Sequence, residues 1–238
     1  MSLLHEWWRR ASVTTPVPGA STLVLIALVA LGAVILAWPA VRMAVTVCHE
    51  AGHAVAGTLT GRSLSGIRLH SDTSGVTVTR GRPTGAGMVL TLLAGYPSAS
   101  VVGLLAAAVA GTGHAVAMLW LLVVLLALML LKIRNLYGAL VVLGLGGALG
   151  VATWDAPTRL LVPLAYGLAW LLLLAAPRPV LELAATRRGA SGSSDAAQLA
   201  RLTHVPRILW LTLWLALTLG ALVAGTALML PALTHRLR

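Results

Sequence analysis

The sequence predicts an all-α polytopic membrane protein of about six to seven transmembrane helices, with a short membrane-associated β-hairpin after one of them. Three observations carry this. The chain is 58% hydrophobic and 10% charged, with mean hydropathy +0.92, whereas a soluble domain carries about 25% charged residues. Its apolar residues fall into long runs, each near the ~20 residues needed to cross a bilayer. Its basic residues lie between those runs and form no basic face, which suits orientation in a membrane and speaks against nucleic-acid binding despite a net charge of +11.

The runs are residues 21–39, 41–60, 87–110, 114–131, 136–153, 159–176 and 207–231. The first follows Arg9 and Arg10 and is read as a retained span, because it is longer than the apolar core of a cleaved leader. Residues 144–150, GLGGALG, offer small side chains for close helix contact. Residues 64–80 alternate as a hairpin does, with SDTSG as the turn and β-branched residues beyond it. Residues 177–206 begin with PRP, pass through RRGASGSSD and end in a short helix, DAAQLARLTH, before Pro206. The chain thus reads as a cytoplasmic tail 1–20, one integral-membrane domain 21–232 and a tail 233–238.

Basic residues set the expected direction. With the N-terminus in the cytoplasm, positions 9, 10, 62, 68, 80, 82, 132, 134, 178, 187, 188, 201 and 207 fall inside, and only 42, 159, 236 and 238 fall outside.

The chemistry concentrates in VTVCHEAGHAVAGTL, residues 45–59. HEAGH is an H-E-x-x-H sequence on a predicted helix. Residues four apart share a helical face, so His49 and His53 can offer imidazoles to one ion, with Glu50 beside them as a proton acceptor. With 7 His and three Glu among 238 residues, about 0.003 such matches are expected by chance. Ionisable residues inside a span are costly enough to point to function rather than to two histidines satisfied by neighbouring helices. His53 lies seven residues before the end of its run, about 10 Å into the bilayer. Cys48 adjoins His49 on the helix and points elsewhere, as a buried spectator thiol.

A catalytic zinc has three protein ligands and an open position. Glu182, Asp195 and His204 lie on the right side to supply the third. Each has a simpler reading: Glu182 as an interfacial charge, Asp195 as a helix N-cap in S-S-D-A-A-Q, His204 as the stop of the short helix.

HEAGH on a membrane helix, the AGYP sequence at 94–97, and a late acidic residue followed by an amphipathic turn and a new span together resemble the site-2 protease family of intramembrane zinc metalloproteases, in its small bacterial branch without a PDZ domain. The resemblance spans residues 41–232 and is most specific at HEAGH. It implies zinc ligands His49, His53 and Asp195, with Glu50 activating water. The family's L-D-G around the aspartate is here S-S-D-A-A, and its G-P-x-x-N is replaced by Gly95-Tyr96-Pro97-Ser98-Ala99. Asn135 is then a candidate polar group near the site, or a helix N-cap. The implied activity is hydrolysis of peptide bonds in transmembrane protein substrates, within regulated intramembrane proteolysis, in a multi-pass bacterial cell-membrane protein. An oligomer or an accessory membrane partner is compatible with this. The hairpin would serve either as an edge that holds an extended substrate or as a structural loop. Two other classes compete: a catalytically silent metal-binding scaffold, which the retained Glu50 disfavours, and a metal transporter, which the almost wholly apolar runs 114–131 and 159–176 disfavour.

Overall fold

Each apolar run forms helix, and the breaks between helices follow from the residues at the joints. The structure, a computed structural model, describes residues 2–186 and 193–230. In chain order the elements are α1 (Leu3–Ala11), α2 (Ala20–Leu36), α3 (Trp38–Leu59), β1 (Ser63–Leu69), β2 (Gly75–Arg80), α4 (Ala86–Ala94), α5 (Ser98–Gly111), α6 (Ala115–Leu130), α7 (Leu136–Asp155), α8 (Thr158–Ala175), α9 (Pro177–Ala185), α10 (Asp195–Thr203) and α11 (Arg207–Met229). The segment RRGASG and the C-terminal tail lie outside the described residues.

Two joints bend sharply. The axes of α2 and α3 meet at 99°, and those of α4 and α5 at 64°. Pro39 sits in the first turn of α3, where its missing N–H is not needed. The second break falls at Gly95–Pro97, inside the expected span 87–110. Among the described residues, three helical segments are long and apolar enough to cross a membrane alone, namely α7, α8 continued through α9, and α11. Each bent pair counted as one span raises this to five, and the shorter apolar α6 packs beside them. The PRP sequence does not end the helical run as expected: Pro177 occupies the first turn of α9.

The central core joins α2, α5, α6, α8 and α11 around Leu23, Ala107, Leu119, Tyr166, Leu173 and Met229. Small residues allow the closest approaches. A Cβ on Gly103 would stand 3.0 Å from the Leu173 side chain, and Gly225 presses on the same leucine. Of the GLGGALG glycines, Gly146 and Gly150 face α6, while Gly144 and Gly147 meet nothing within 4 Å.

The bundle has two distinct ends. Arg178, just after α8, donates to Val34 O near the end of α2 at 2.7 Å, so α2 and α8 run the same way. The Tyr166 hydroxyl donates to Ala110 O at 2.8 Å, which sets α5 against α8. The hairpin belongs to the end where α6 and α8 finish. Its strands pair antiparallel from Ser63↔Arg80 to Leu69↔Gly75, with a bulge between Leu64 and Gly66. The outer edge of β1 is closed by residues 132–135, since Ile67 N donates to Lys132 O and Arg134 N to Ile67 O at 2.8 and 2.9 Å.

Helix α3 begins and ends at this same end. Arg42 in its first turns lies 3.9 Å from Glu182, and its far end leads directly into the hairpin. It therefore lies across the bundle end and is not an antiparallel partner of α2. This corrects the sidedness expected from the sequence. Arg42 and Glu182, assigned to opposite faces, are in contact. So are Arg10, assigned with the hairpin, and Trp154, at the finish of α7, whose carbonyl accepts from the Arg10 guanidinium. Run length reports an apolar helix but not its direction, and one helix laid crosswise moves everything before it to the other end.

Candidate metal centre

The crosswise helix presents HEAGH to α4 and α10. His49 and His53 lie one turn apart on α3, and their Nε2 atoms are 3.0 Å from each other. Asp195, in the first turn of α10, places Oδ2 at 3.2 Å from each of them. Four-coordinate ligand atoms at ~2.0–2.1 Å from an ion are about 3.3 Å apart, so this triangle matches one face of a tetrahedral site. Among the described residues, these three form the cluster of His, Cys, Asp or Glu atoms that could hold a metal ion.

The surroundings fix each of these side chains. His53 Nδ1 lies 2.7 Å from Thr91 O on α4. Donation there places the proton on Nδ1 and leaves the Nε2 lone pair facing the centre. The His49 ring meets Tyr96 edge-on at 4.8 Å, Tyr96 stacks on Trp214 at 4.4 Å, and Trp214 donates to Leu93 O at 3.0 Å. Both imidazoles rest on Gly95, where an added Cβ would stand 2.6 Å from His53 Nε2 and 2.7 Å from His49 Cε1. Gly52 within HEAGH likewise backs closely onto Ala94 and Ser98.

The rival readings of the acidic and histidine candidates now separate. Ser194, not Asp195, is the N-cap of α10, accepting from Ala197 N at 3.3 Å. Capping therefore makes no demand on the Asp195 side chain. Ala196 and Leu199 seat α10 against Leu92, Val180, Leu211 and Trp214. Glu182 is drawn away by Arg178 at 3.4 Å and Arg42. His204 adopts φ 60° at the C-cap of α10. Cys48 packs among apolar residues from α2, α5 and α8.

Glu50 is buried, with 3% of its surface exposed. The Thr77 hydroxyl on β2 donates to its Oε2 at 2.6 Å. A Cβ on Gly75 would stand 2.6 Å from Glu50 Oε1, so β2 lies directly against the carboxylate. Nothing in the sequence marks Thr77, Gly75 and Thr91, because each acts through a contact distant along the chain, and Gly95, though within the AGYP sequence, shows its support of the rings only in the fold.

Asn135 stands at the end of a helix as expected, but its side chain is used elsewhere. It holds the N-cap position of α7 without a side-chain cap bond. Its amide instead accepts from Leu69 N at 3.2 Å and donates to Leu69 O at 2.7 Å, extending the β1 edge.

His49 and His53 of the H-E-x-x-H helix and the remote Asp195 thus converge on one point beside the buried Glu50. The model of the Peptidase M50B-like family matches residues 17–225. The chain belongs to this family, the site-2 protease family of intramembrane metalloproteases. No curated protein and no solved structure matches it.

Proposed function

We propose that the protein is an intramembrane zinc metalloprotease, with His49, His53 and Asp195 as zinc ligands and Glu50 as general base. The triangle of donor atoms 3.0–3.2 Å apart, two of them on the same helix as a buried glutamate, carries this reading. Two imidazole nitrogens and one carboxylate oxygen are a donor set that zinc accepts, with one position left for water or substrate. Bound there, zinc supplies Lewis acidity that polarises a carbonyl and lowers the pKa of water toward about 7.

The protein's own groups do the rest. Thr91 and Gly95 keep the two rings in place, and Asp195 balances charge in a buried setting. Glu50 takes a proton from the attacking water on its free carboxylate oxygen and hands it to the leaving amine. The substrate class is a membrane-embedded protein segment, which must unwind before its backbone is open to attack.

Orientation follows from the corrected ends. Among the described residues, basic positions 42, 62, 68, 80, 82, 132, 134, 178, 201 and 207 belong to the site end, and 9, 10 and 159 to the other. That asymmetry supports a cytoplasmic site end and an N-terminus outside. The setting we infer is a bacterial cell membrane and regulated intramembrane proteolysis.

The test uses purified protein with single-span substrates, with and without chelator. Chelation and Glu50→Gln should each abolish cleavage, the latter with zinc retained. Asp195→Ala should lose zinc and activity together. Cleavage by Glu50→Gln within tenfold of wild type would remove Glu50 from the general-base role.

A further inference from the structure

We propose that Thr77 is a positioning residue for Glu50, holding one carboxylate oxygen so that the other faces the reaction. The inference rests on the metalloprotease reading above. The Thr77 hydroxyl is 2.6 Å from Glu50 Oε2 and 3.0 Å from Glu50 O. A hydroxyl has one proton, and the shorter contact to the carboxylate takes it. Oε1 carries no hydrogen bond among the described residues, so the two oxygens are not equivalent. Gly75 closes the carboxylate from the same strand and leaves no room for the side chain to swing back.

Thr77 can impose this geometry because the hairpin that carries it is fixed on three sides. At the turn, Thr46 on α3 donates to Thr73 O at 2.8 Å. At the open end, Arg62 Nε donates to Thr79 at 3.0 Å. Along the outer edge, residues 132–135 pair with β1. The alternation of β2 turns Gly75, Thr77 and Thr79 toward α3, where they meet Glu50 and Gly57, and leaves Val76 and Val78 exposed. A glutamate side chain has three rotatable bonds, and a displacement of about 1 Å can cost on the order of 100-fold in rate.

The competing view is that Thr77 only fills space beside α3. Thr77→Val keeps the shape and removes the hydroxyl, and Thr77→Ser keeps the hydroxyl and removes a methyl group. With full-length protein and a single-span substrate, Thr77→Val should lower kcat by about 10- to 100-fold, with KM and zinc content unchanged. Thr77→Ser should restore kcat to within about threefold of wild type. A second measurement does not depend on activity: Thr77→Val should lower the unfolding midpoint in wild type but not in a Glu50→Ala background, because the partner is gone.

Wild-type kcat in Thr77→Val, equal losses in Val and Ser variants, or independent effects on the midpoint would each overturn the role. Wild type and Glu50→Gln run alongside. If wild type shows no chelator-sensitive cleavage, the metalloprotease reading fails and takes the positioning role with it. If wild type cleaves and Thr77→Val does so equally well, only the role of Thr77 is lost.

Discussion

The two ends of the bundle are held together by different physics. At the site end, single directed contacts decide where atoms lie: Thr77 to Glu50, Thr91 to His53, Asn135 to Leu69, and glycines against the side chains they support. At the other end, α1 docks through overlapping aromatic contacts. Trp7 meets Trp120 at 6.0 Å, Trp120 meets Trp154 at 6.1 Å, and Arg10 lies over Trp154 at 4.7 Å. Hydrogen bonds in a buried site have no substitute when removed. Aromatic and cation–π contacts are worth ~0.5–1.5 kcal/mol each and share the load. The difference teaches that the site end should fail by single atoms, and the tryptophan end only by degrees.

The largest expected effect is at Gly95. A valine there would drive its Cβ into both imidazoles, which already lie 2.6–2.7 Å from the position of a first carbon. Gly95→Val should therefore release zinc and reduce cleavage by more than ~100-fold, as expected when a catalytic geometry is lost. Zinc content by mass spectrometry is the measurement. Full occupancy with normal activity would show that the rings are free to move and would break the contrast between the ends.

Gly75 sharpens the contrast within the site. The three atoms nearest to its Cβ would all belong to Glu50. Gly75→Ala should keep zinc while cutting kcat by about 10- to 100-fold. Parallel loss of zinc would mean that β2 supports the whole centre and not the base alone.

How far these positions could be read in advance depends on the range of the interactions. HEAGH is visible because both histidines and the glutamate share one helical turn. The hairpin is visible because alternation and SDTSG are local; its turn closes as expected, with Ser74 N donating to Asp72 Oδ1 at 3.0 Å. Asp195 needed the family resemblance, since S-S-D-A-A alone is equally an N-cap, and only the fold shows Ser194 doing that work. The crosswise course of α3 was not legible. Nothing in an apolar run from 41 to 60 reports the 99° bend before it, and the Arg42–Glu182 contact joins residues 140 positions apart. Thr77 was hidden for the same reason. A threonine in a strand is ordinary until the strand is laid against a glutamate.

A smaller effect is expected at Asn135. Its amide stands in for one strand residue along β1, and Leu69, whose backbone it satisfies, is fully buried. Asn135→Ala leaves a buried N–H and C=O without this partner, a cost of about 1–3 kcal/mol for an unsatisfied group. Hydrogen exchange should rise in residues 63–80 before it rises elsewhere, with a modest fall in activity. Unchanged exchange there would show that the backbone bonds from residues 132–134 suffice to hold the edge.

The smallest effect belongs to the tryptophan end. Glu6 accepts from Arg9 at 2.7 Å and from Arg10 at 2.7 Å. These bonds, from Arg9 first and then Arg10, lower its pKa from 4.5 to about 2. A carboxylate with a depressed folded value contributes stability that is fully present above its unfolded pKa and lost as pH falls through the folded one. Docking of α1 should thus be insensitive to pH above about 4.5 and weaken between there and about 2. Because the group is only half-buried and lies at the surface, solvent screens it and the change should be small. A dye on Ser12→Cys in a Cys48→Ser background reports the docking directly. Glu6→Gln should flatten that titration while leaving zinc content and cleavage at neutral pH as in wild type, since Arg10 still lies over Trp154. A loss of cleavage in Glu6→Gln would mean that the two ends are coupled through the bundle, and that the separation argued from their contacts does not hold.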